Sequence, residues 1–292
     1  MPNVRANGID LEYDEFGSPA DPDFLLIMGF SVQLTGWDER FCQQLADRGF
    51  HVVRFDNRDV GLSSRITDGP LPDVMKAIAG DHSSASYTVA DMADDAAALI
   101  DVLDLAPAHV LGVSMGGMIA QSLACRHPAK VASLCSVMST TGDASVGAPR
   151  QEAIAALLAP PARSRDEAAD RAVTSSAVIG SPAYPTDAAS VRTRAVAAFD
   201  RSNDPVGVAR QLVGILASAD RTTDLGSVSV PTLVLHGADD PLIDVSGGEA
   251  TAKAIPGAEL LVLPGMGHDL PEELWSTIID AAAGNAAKAV GR

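Results

Sequence analysis

An α/β fold with a mainly parallel sheet covered on both faces is predicted by six short aliphatic runs that alternate with helical periodicity. Two further observations refine it. An antiparallel hairpin precedes the first run, which brings the expected sheet to eight strands. A long stretch without strand character separates the fourth run from the fifth and predicts an inserted helical segment.

The hairpin is read over Asn3 to Phe16, turning at Asn7-Gly8, a dipeptide that accepts the positive φ a tight turn requires. The runs are Phe24 to Met28, His51 to Phe55, Ala108 to Val113, Val131 to Val137, Pro231 to His236 and Glu259 to Leu263. Gly, Pro, Asp or Ser bounds them, as expected for buried strands. Met92, Ala96, Leu99, Ile100 and Leu103 form one apolar helical stripe, with Thr88 and Asp91 as a capping box ahead of it. A second helix is expected from Gly116 to Arg126, stopped by His127-Pro128, and a last one from Pro271.

From residue 141 to 225 the chain is rich in Ala and Arg. Pro160-Pro161, Ser181-Pro182 and Asp204-Pro205 are expected to divide this stretch into three or four helices. Ile154, Leu157 and Leu158, then Val208, Leu212, Ile215 and Leu216, are its apolar stripes. It is expected to form a helical cap inserted in a core made of residues 1–140 and 226–292.

Charge separates the same two parts. The whole chain carries −17, yet between Thr141 and Gly226 ten acidic residues meet nine arginines and no lysine. So acidic a chain argues against nucleic acid or an anionic membrane as partner. The opening Met-Pro-Asn-Val-Arg-Ala-Asn-Gly has no apolar core of a secretion signal, and no apolar run is long enough for a membrane helix. A cytoplasmic protein, monomeric or homodimeric, is expected. Hydrophobic residues make up 47% of the chain and aromatics 4%, so an aliphatic core is expected. Cys42, Cys125 and Cys135 lack metal-ligand spacing and read as free buried thiols; no metal is expected.

The chemistry centres on Gly112-Val113-Ser114-Met115-Gly116, a G-x-S-x-G pentapeptide between an aliphatic strand and an amphipathic helix. A turn this tight leaves no room for side chains two residues before and after the serine, and both positions are glycine. It presents the Ser114 hydroxyl at a helix N-terminus, where the dipole favours negative charge. A phosphate-binding turn is the competing reading, but no G-x-G-x-x-G or Walker pattern accompanies it.

A neutral serine needs a base. Of six histidines, His109 and His236 lie within strands, His51 opens one, His82 sits in a polar loop and His127 ends a helix. His268, in Pro-Gly-Met-Gly-His-Asp-Leu-Pro, follows the last strand on the edge that carries Ser114. A carboxylate to orient it is expected after the preceding strand, where Asp239 and Asp240 are both candidates. Two backbone N–H groups should receive the oxyanion: Met115 after the nucleophile, and Phe30 in the loop Met28-Gly29-Phe30-Ser31.

With these residues in place the chain resembles the α/β-hydrolase superfamily over nearly its whole length. Asp56-Asn57-Arg58-Asp59-Val60-Gly61-Leu62-Ser63 resembles the family's D-x-R-G-x-G-x-S segment, which braces loops near the site. The Ile-Met-Gly-Phe loop, the Arg-Phe-Asp-Asn-Arg-Asp-Val-Gly-Leu-Ser run and the Pro-Gly-Met-Gly-His ending resemble a narrower group, the aclacinomycin methylesterases and related bacterial carboxylesterases. The resemblance implies hydrolysis of carboxylic esters without a cofactor and does not fix the substrate. The apolar stripes of the helical segment, expected to roof the pocket, point to a fairly apolar small-molecule ester. The resemblance also favours Asp240 over Asp239, because the family acid directly precedes proline. C–C bond hydrolysis, lactone opening and perhydrolysis use the same triad, and a non-catalytic ligand receptor could keep the scaffold. Dehalogenase and epoxide hydrolase chemistry needs aspartate at the elbow, where this chain has Ser114. Two departures stand out: Met28 where many relatives have histidine, and Asp59 where the family has glycine. The second reads as a loop variation without consequence.

Overall fold

A computed structural model describes residues 2–105 and 107–289. Strands β1 (Asn3–Ala6) and β2 (Ile9–Phe16) form the expected antiparallel hairpin. Its turn residues Asn7 and Gly8 have φ of 47° and 77°, the left-handed region that Asn and Gly tolerate best. The chain continues through β3 (Asp23–Ile27), α1 (Glu39–Ala46), β4 (His51–Phe55), α2 (Val74–Ile78) and α3 (Val89–Val102). β5 (Ala108–Val113), α4 (Met115–Arg126) and β6 (Val131–Val137) follow.

Between β6 and the next strand lie α5 (Gln151–Leu157), α6 (Arg165–Ile179), α7 (Ala188–Arg201), α8 (Pro205–Leu216) and α9 (Thr222–Leu225). β7 (Thr232–Gly237), α10 (Ser246–Ala254), β8 (Glu259–Leu263) and α11 (Trp275–Ala287) complete the order. The strand order is β1-β2-β4-β3-β5-β6-β7-β8. β2 pairs antiparallel with β4, and every later pair in that order is parallel.

Period-two alternation divides the core between the two faces of the sheet. Leu25, Ile27, Val53, Phe55 and Val110 pack with Met92, Ala96, Leu99 and Ile100 of α3 and Ile119 and Leu123 of α4. Phe24, Leu26, Val52, Leu111 and Val113 pack with Phe41 and Leu45 of α1 and Trp275, Ile278 and Ile279 of α11. The expected capping box of α3 is present, with Thr88 N–H donating to Asp91 at 2.7 Å. The last helix departs from expectation. Pro271 precedes a single 3₁₀ turn, Glu272–Leu274, and α-helix begins only at Trp275.

Described residues 141–225 contribute five helices and no strand; Pro160-Pro161 and Ser181-Pro182 fall between helices, and Asp204-Pro205 caps and opens α8. Their buried faces differ from the expected stripes. Ile154 and Leu158 are each 39% exposed, and α5 buries Ala153 instead. α8 buries Gly207, Arg210, Gln211, Val213 and Gly214, leaving Val208, Leu212, Ile215 and Leu216 half-buried. The surface beneath α8 is polar, so the helix meets it with Arg210 and Gln211. The insertion is closed at its root by buried Arg221, whose N–H donates to the Thr141 carbonyl and whose Nη2 donates to that of Thr140, both at 2.9 Å. Burial lowers the Arg221 pKa to about 10.

Candidate active site

Parallel strands end together, so the loops after β3, β5, β7 and β8 share one edge of the sheet. Ser114 follows β5 at φ 55° and ψ −121°, a strained conformation for a non-glycine residue. The sequence pays for this turn with its glycines. A Cβ on Gly112 would lie 2.7 Å from Gly117 N, and one on Gly116 would lie 2.8 Å from the Met28 carbonyl oxygen. Ser114 is held there by its own N–H to the Val137 carbonyl at 2.9 Å and by the Ser139 hydroxyl on its carbonyl at 2.9 Å. Ser139 is a support that sequence reasoning missed; a serine just past a strand end carries no distinguishing signal.

His268 and Asp240 converge on Ser114. His268 Nδ1 lies 2.7 Å from Asp240 Oδ2, and Nε2 lies 3.0 Å from Ser114 Oγ. A carboxylate only accepts, so Nδ1 carries the proton and the Nε2 lone pair faces the hydroxyl, which donates to it. Asp240 is buried, and its Oδ1 accepts the N–H groups of Leu242 at 2.8 Å and Ile243 at 2.9 Å. Asp239 points elsewhere, accepting from Gly265 N–H at 2.9 Å on an exposed surface.

His236 lies beside this pair, 3.6 Å from Asp240 Oδ2, and donates from Nε2 to the Ile243 carbonyl at 2.8 Å. Burial pushes its pKa down, so it stays neutral and leaves Asp240 to His268. The insertion holds the His268 loop from the other side. His268 N–H donates to the Ile179 carbonyl at 2.7 Å, and Gly267 N–H to Ser181 Oγ at 2.9 Å. The Ser181 hydroxyl donates in turn to Asp269, whose carboxyl burial pushes up.

The loop after β3 passes directly over the elbow. A Cβ on Gly29 would lie 3.2 Å from Ser114 Cβ and equally close to the Val113 carbonyl oxygen. Phe30 follows Gly29 in that loop, and Met115 opens α4 immediately after Ser114. Met28 is buried in the core with Trp37 and Phe41.

The segment after β4 does more than the sequence suggested. Asp56 is buried and accepts from Leu34 N–H at 2.6 Å, Leu62 N–H at 2.8 Å and Arg201 of α7 at 2.7 Å. Arg58 forms a buried bidentate pair with Asp95, at 2.5 and 2.6 Å. Asp59 corrects the expectation of a variation without consequence. Its backbone is left-handed at φ 66°, and its carboxylate, wholly buried, meets three partners. These are Arg210 at 2.9 Å, Tyr87 Oη at 2.7 Å and Ile66 N–H at 2.9 Å. Desolvation nevertheless raises its pKa. Asn57, Arg210 and Gln211 were likewise missed; arginines in an otherwise lysine-free insertion are the one signal that pointed toward them.

The sequence profile of the alpha/beta hydrolase fold matches residues 22–273, and the chain belongs to that family. By class it is a hydrolase, and esterases are among its named relatives. It is 26% identical over 290 residues to a rhodomycin D methylesterase of Streptomyces peucetius, covering 92% of each chain. A bifunctional esterase/perhydrolase of Acinetobacter calcoaceticus is 26% identical over 284 residues, covering 93% of this chain and 94% of that protein. The enol-lactonase of Burkholderia xenovorans LB400 superposes with a TM-score of 0.74 at 23% identity, covering 98% of this chain and all of that one, which establishes the fold. Among the described residues no helix is long and apolar enough to cross a membrane.

Proposed function

We propose that the protein hydrolyses carboxylic esters of fairly apolar small molecules through an acyl-enzyme on Ser114. The observation that carries this reading is the unbroken relay from Asp240 to His268 to Ser114, at 2.7 and 3.0 Å. His268 Nε2 takes the hydroxyl proton as Ser114 Oγ attacks the ester carbonyl carbon. Asp240 holds the productive tautomer and stabilises the imidazolium. The oxyanion is received by the N–H groups of Phe30 and Met115, the latter at the positive end of α4. His268 then gives its proton to the departing alkoxide. In the second half it deprotonates water, which attacks the acyl carbon and frees the acid and Ser114.

The helices of residues 141–225 are assigned the role of a cap over this site. Support comes from their attachment to both the base loop, through Ile179, and the loop after β3, through Gln211. Two relatives named for ester cleavage support the bond type. Ser114→Ala should abolish turnover of nitrophenyl esters while the folded spectrum is kept, and an organophosphate should label the wild type at Ser114 alone. Labelling at another serine, or turnover by the variant, overturns the assignment. Dienone and lactone substrates run alongside separate ester cleavage from same-triad C–C hydrolysis and lactone opening.

A further inference from the structure

The loop that carries Phe30 is gripped from two sides. On the core side, Asn57 Nδ2 donates to the Met28 carbonyl at 2.9 Å. On the insertion side stands Gln211 of α8, fully buried. Its Oε1 accepts from Ser31 N–H at 2.9 Å, and its Nε2 donates to the Arg58 carbonyl at 2.8 Å. Ser31 has φ of 62°, a left-handed backbone that a serine keeps only where its surroundings impose it.

α8 cannot easily drift. Arg210, adjacent to Gln211, is paired with buried Asp59 at 2.9 Å. Gly207, one turn earlier, lies so close to the Asp59 backbone that a Cβ there would be 3.1 Å from Asp59 Cβ. One amide side chain thus spans two core loops, with both of its ends on backbone groups. Its length sets the separation of those loops.

We propose that Gln211 is a positioning residue for ester hydrolysis, holding the Phe30 N–H on the oxyanion through its bond to Ser31, and that the Arg210–Asp59 pair holds Gln211 in place. The proposal rests on the reading of Ser114 as nucleophile and Phe30 as donor. It makes α8 part of the catalytic apparatus as well as of the roof. Losing the bridge frees Ser31 to leave the left-handed region, and the Phe30 backbone that precedes it, with its N–H, loses that anchor. Transition-state stabilisation falls before substrate binding does, because the oxyanion exists only after attack.

The test compares the wild type with Gln211→Leu and Gln211→Glu, following kcat and KM on a nitrophenyl butyrate. Inhibition by a trifluoromethyl ketone, whose serine adduct places an oxyanion on the same donors, is measured in parallel. Removing one oxyanion donor outright costs about 10²–10³ in kcat, so displacing it in Gln211→Leu should cost about tenfold to a hundredfold. KM should stay within about threefold, and ketone affinity should fall in step with kcat/KM. Gln211→Glu keeps the acceptor for Ser31 N–H and should lie between the other two. A folded Gln211→Leu with kcat and ketone affinity within about threefold of wild type overturns the proposal, as does a loss confined to KM. If Gln211→Leu does not fold, Gln211→Glu decides on the same criteria against Gln211→Asn, which is one methylene too short to span the loops. A ketone that fails to inhibit the wild type, or turnover by Ser114→Ala, overturns the underlying reading and this proposal with it. Inhibition of the wild type with an unaffected Gln211→Leu overturns this proposal alone.

Discussion

Gly116→Ala isolates the coupling between the elbow and the strand beside it. The added Cβ would overlap the Ile27 carbonyl oxygen and lie 2.7 Å from the Ile27 carbonyl carbon and 2.8 Å from the Met28 oxygen. All three atoms are backbone, and Ile27 ends a central strand, so no rotamer change relieves the overlap. The elbow and β3 must part by roughly 1 Å to restore ordinary carbon–oxygen contact. Overpacking of this kind costs about 1–3 kcal/mol of stability. The same displacement separates Ser114 from the loop that carries Phe30. A misplacement of ~1 Å can cost ~10²-fold in rate, which is about 2.7 kcal/mol of transition-state stabilisation. The assay pairs kcat/KM on a short-chain nitrophenyl ester with a urea midpoint for the same preparation. Gly284→Ala in α11 is the control, because a Cβ there meets nothing within 4 Å. A Gly116→Ala protein that is folded and within about threefold of wild-type kcat/KM would refute the steric reasoning.

Gly284→Ala should itself stabilise the protein by about 0.5–1 kcal/mol, read from the urea midpoint, with activity unchanged. Asp240→Asn should lower kcat by about 10³–10⁴, because an amide N–H₂ opposes the His268 Nδ1–H and the wrong tautomer results. Asp239→Asn should leave the rate near wild type, since the Asp239 carboxylate is exposed and accepts from Gly265 N–H, whereas His268 pairs with Asp240. Stability should fall as pH drops below about 6.5, the ordinary imidazole value. Burial depresses the pKa of His109 and His236 in the folded state, so the unfolded chain binds those protons first. His109→Phe keeps ring contact with Phe24 and Phe50 and should flatten that slope, by up to about one proton in unfolding titrations between pH 7 and 5. An unchanged slope would assign the pH dependence to other groups.

How much was legible without coordinates depended on whether the cause was local. Short aliphatic runs bounded by turn residues located every parallel strand to within a residue, because burial on both faces selects aliphatic side chains. The elbow was readable because two glycines are a steric necessity there, and Asp240 and His268 because the strand ends bring their loops to one edge. α1 was overlooked although Phe41, Cys42, Leu45 and Ala46 make its stripe, since eight residues offer barely two turns of periodicity. The apolar stripe residues around α5 and in α8 are exposed or half-buried, not fully buried. Apolarity predicts burial only where the opposing surface is apolar, and α8 meets buried Asp59 and the Arg58 carbonyl instead. Asp59 was misjudged for a related reason. Its partner Arg210 lies 151 residues away, and no spacing rule links them.

A covalent acyl group on the Ser114 hydroxyl is the intermediate on which the proposed hydrolysis depends. Rapid mixing of excess nitrophenyl acetate with enzyme, quenched in acid and read by peptide mass mapping, measures it directly. A burst of nitrophenol matching the enzyme present is expected, with a single acetyl on the peptide containing Ser114 that is absent from Ser114→Ala. An acetyl on any other residue, or full turnover by the Ser114→Ala protein, would contradict this mechanism.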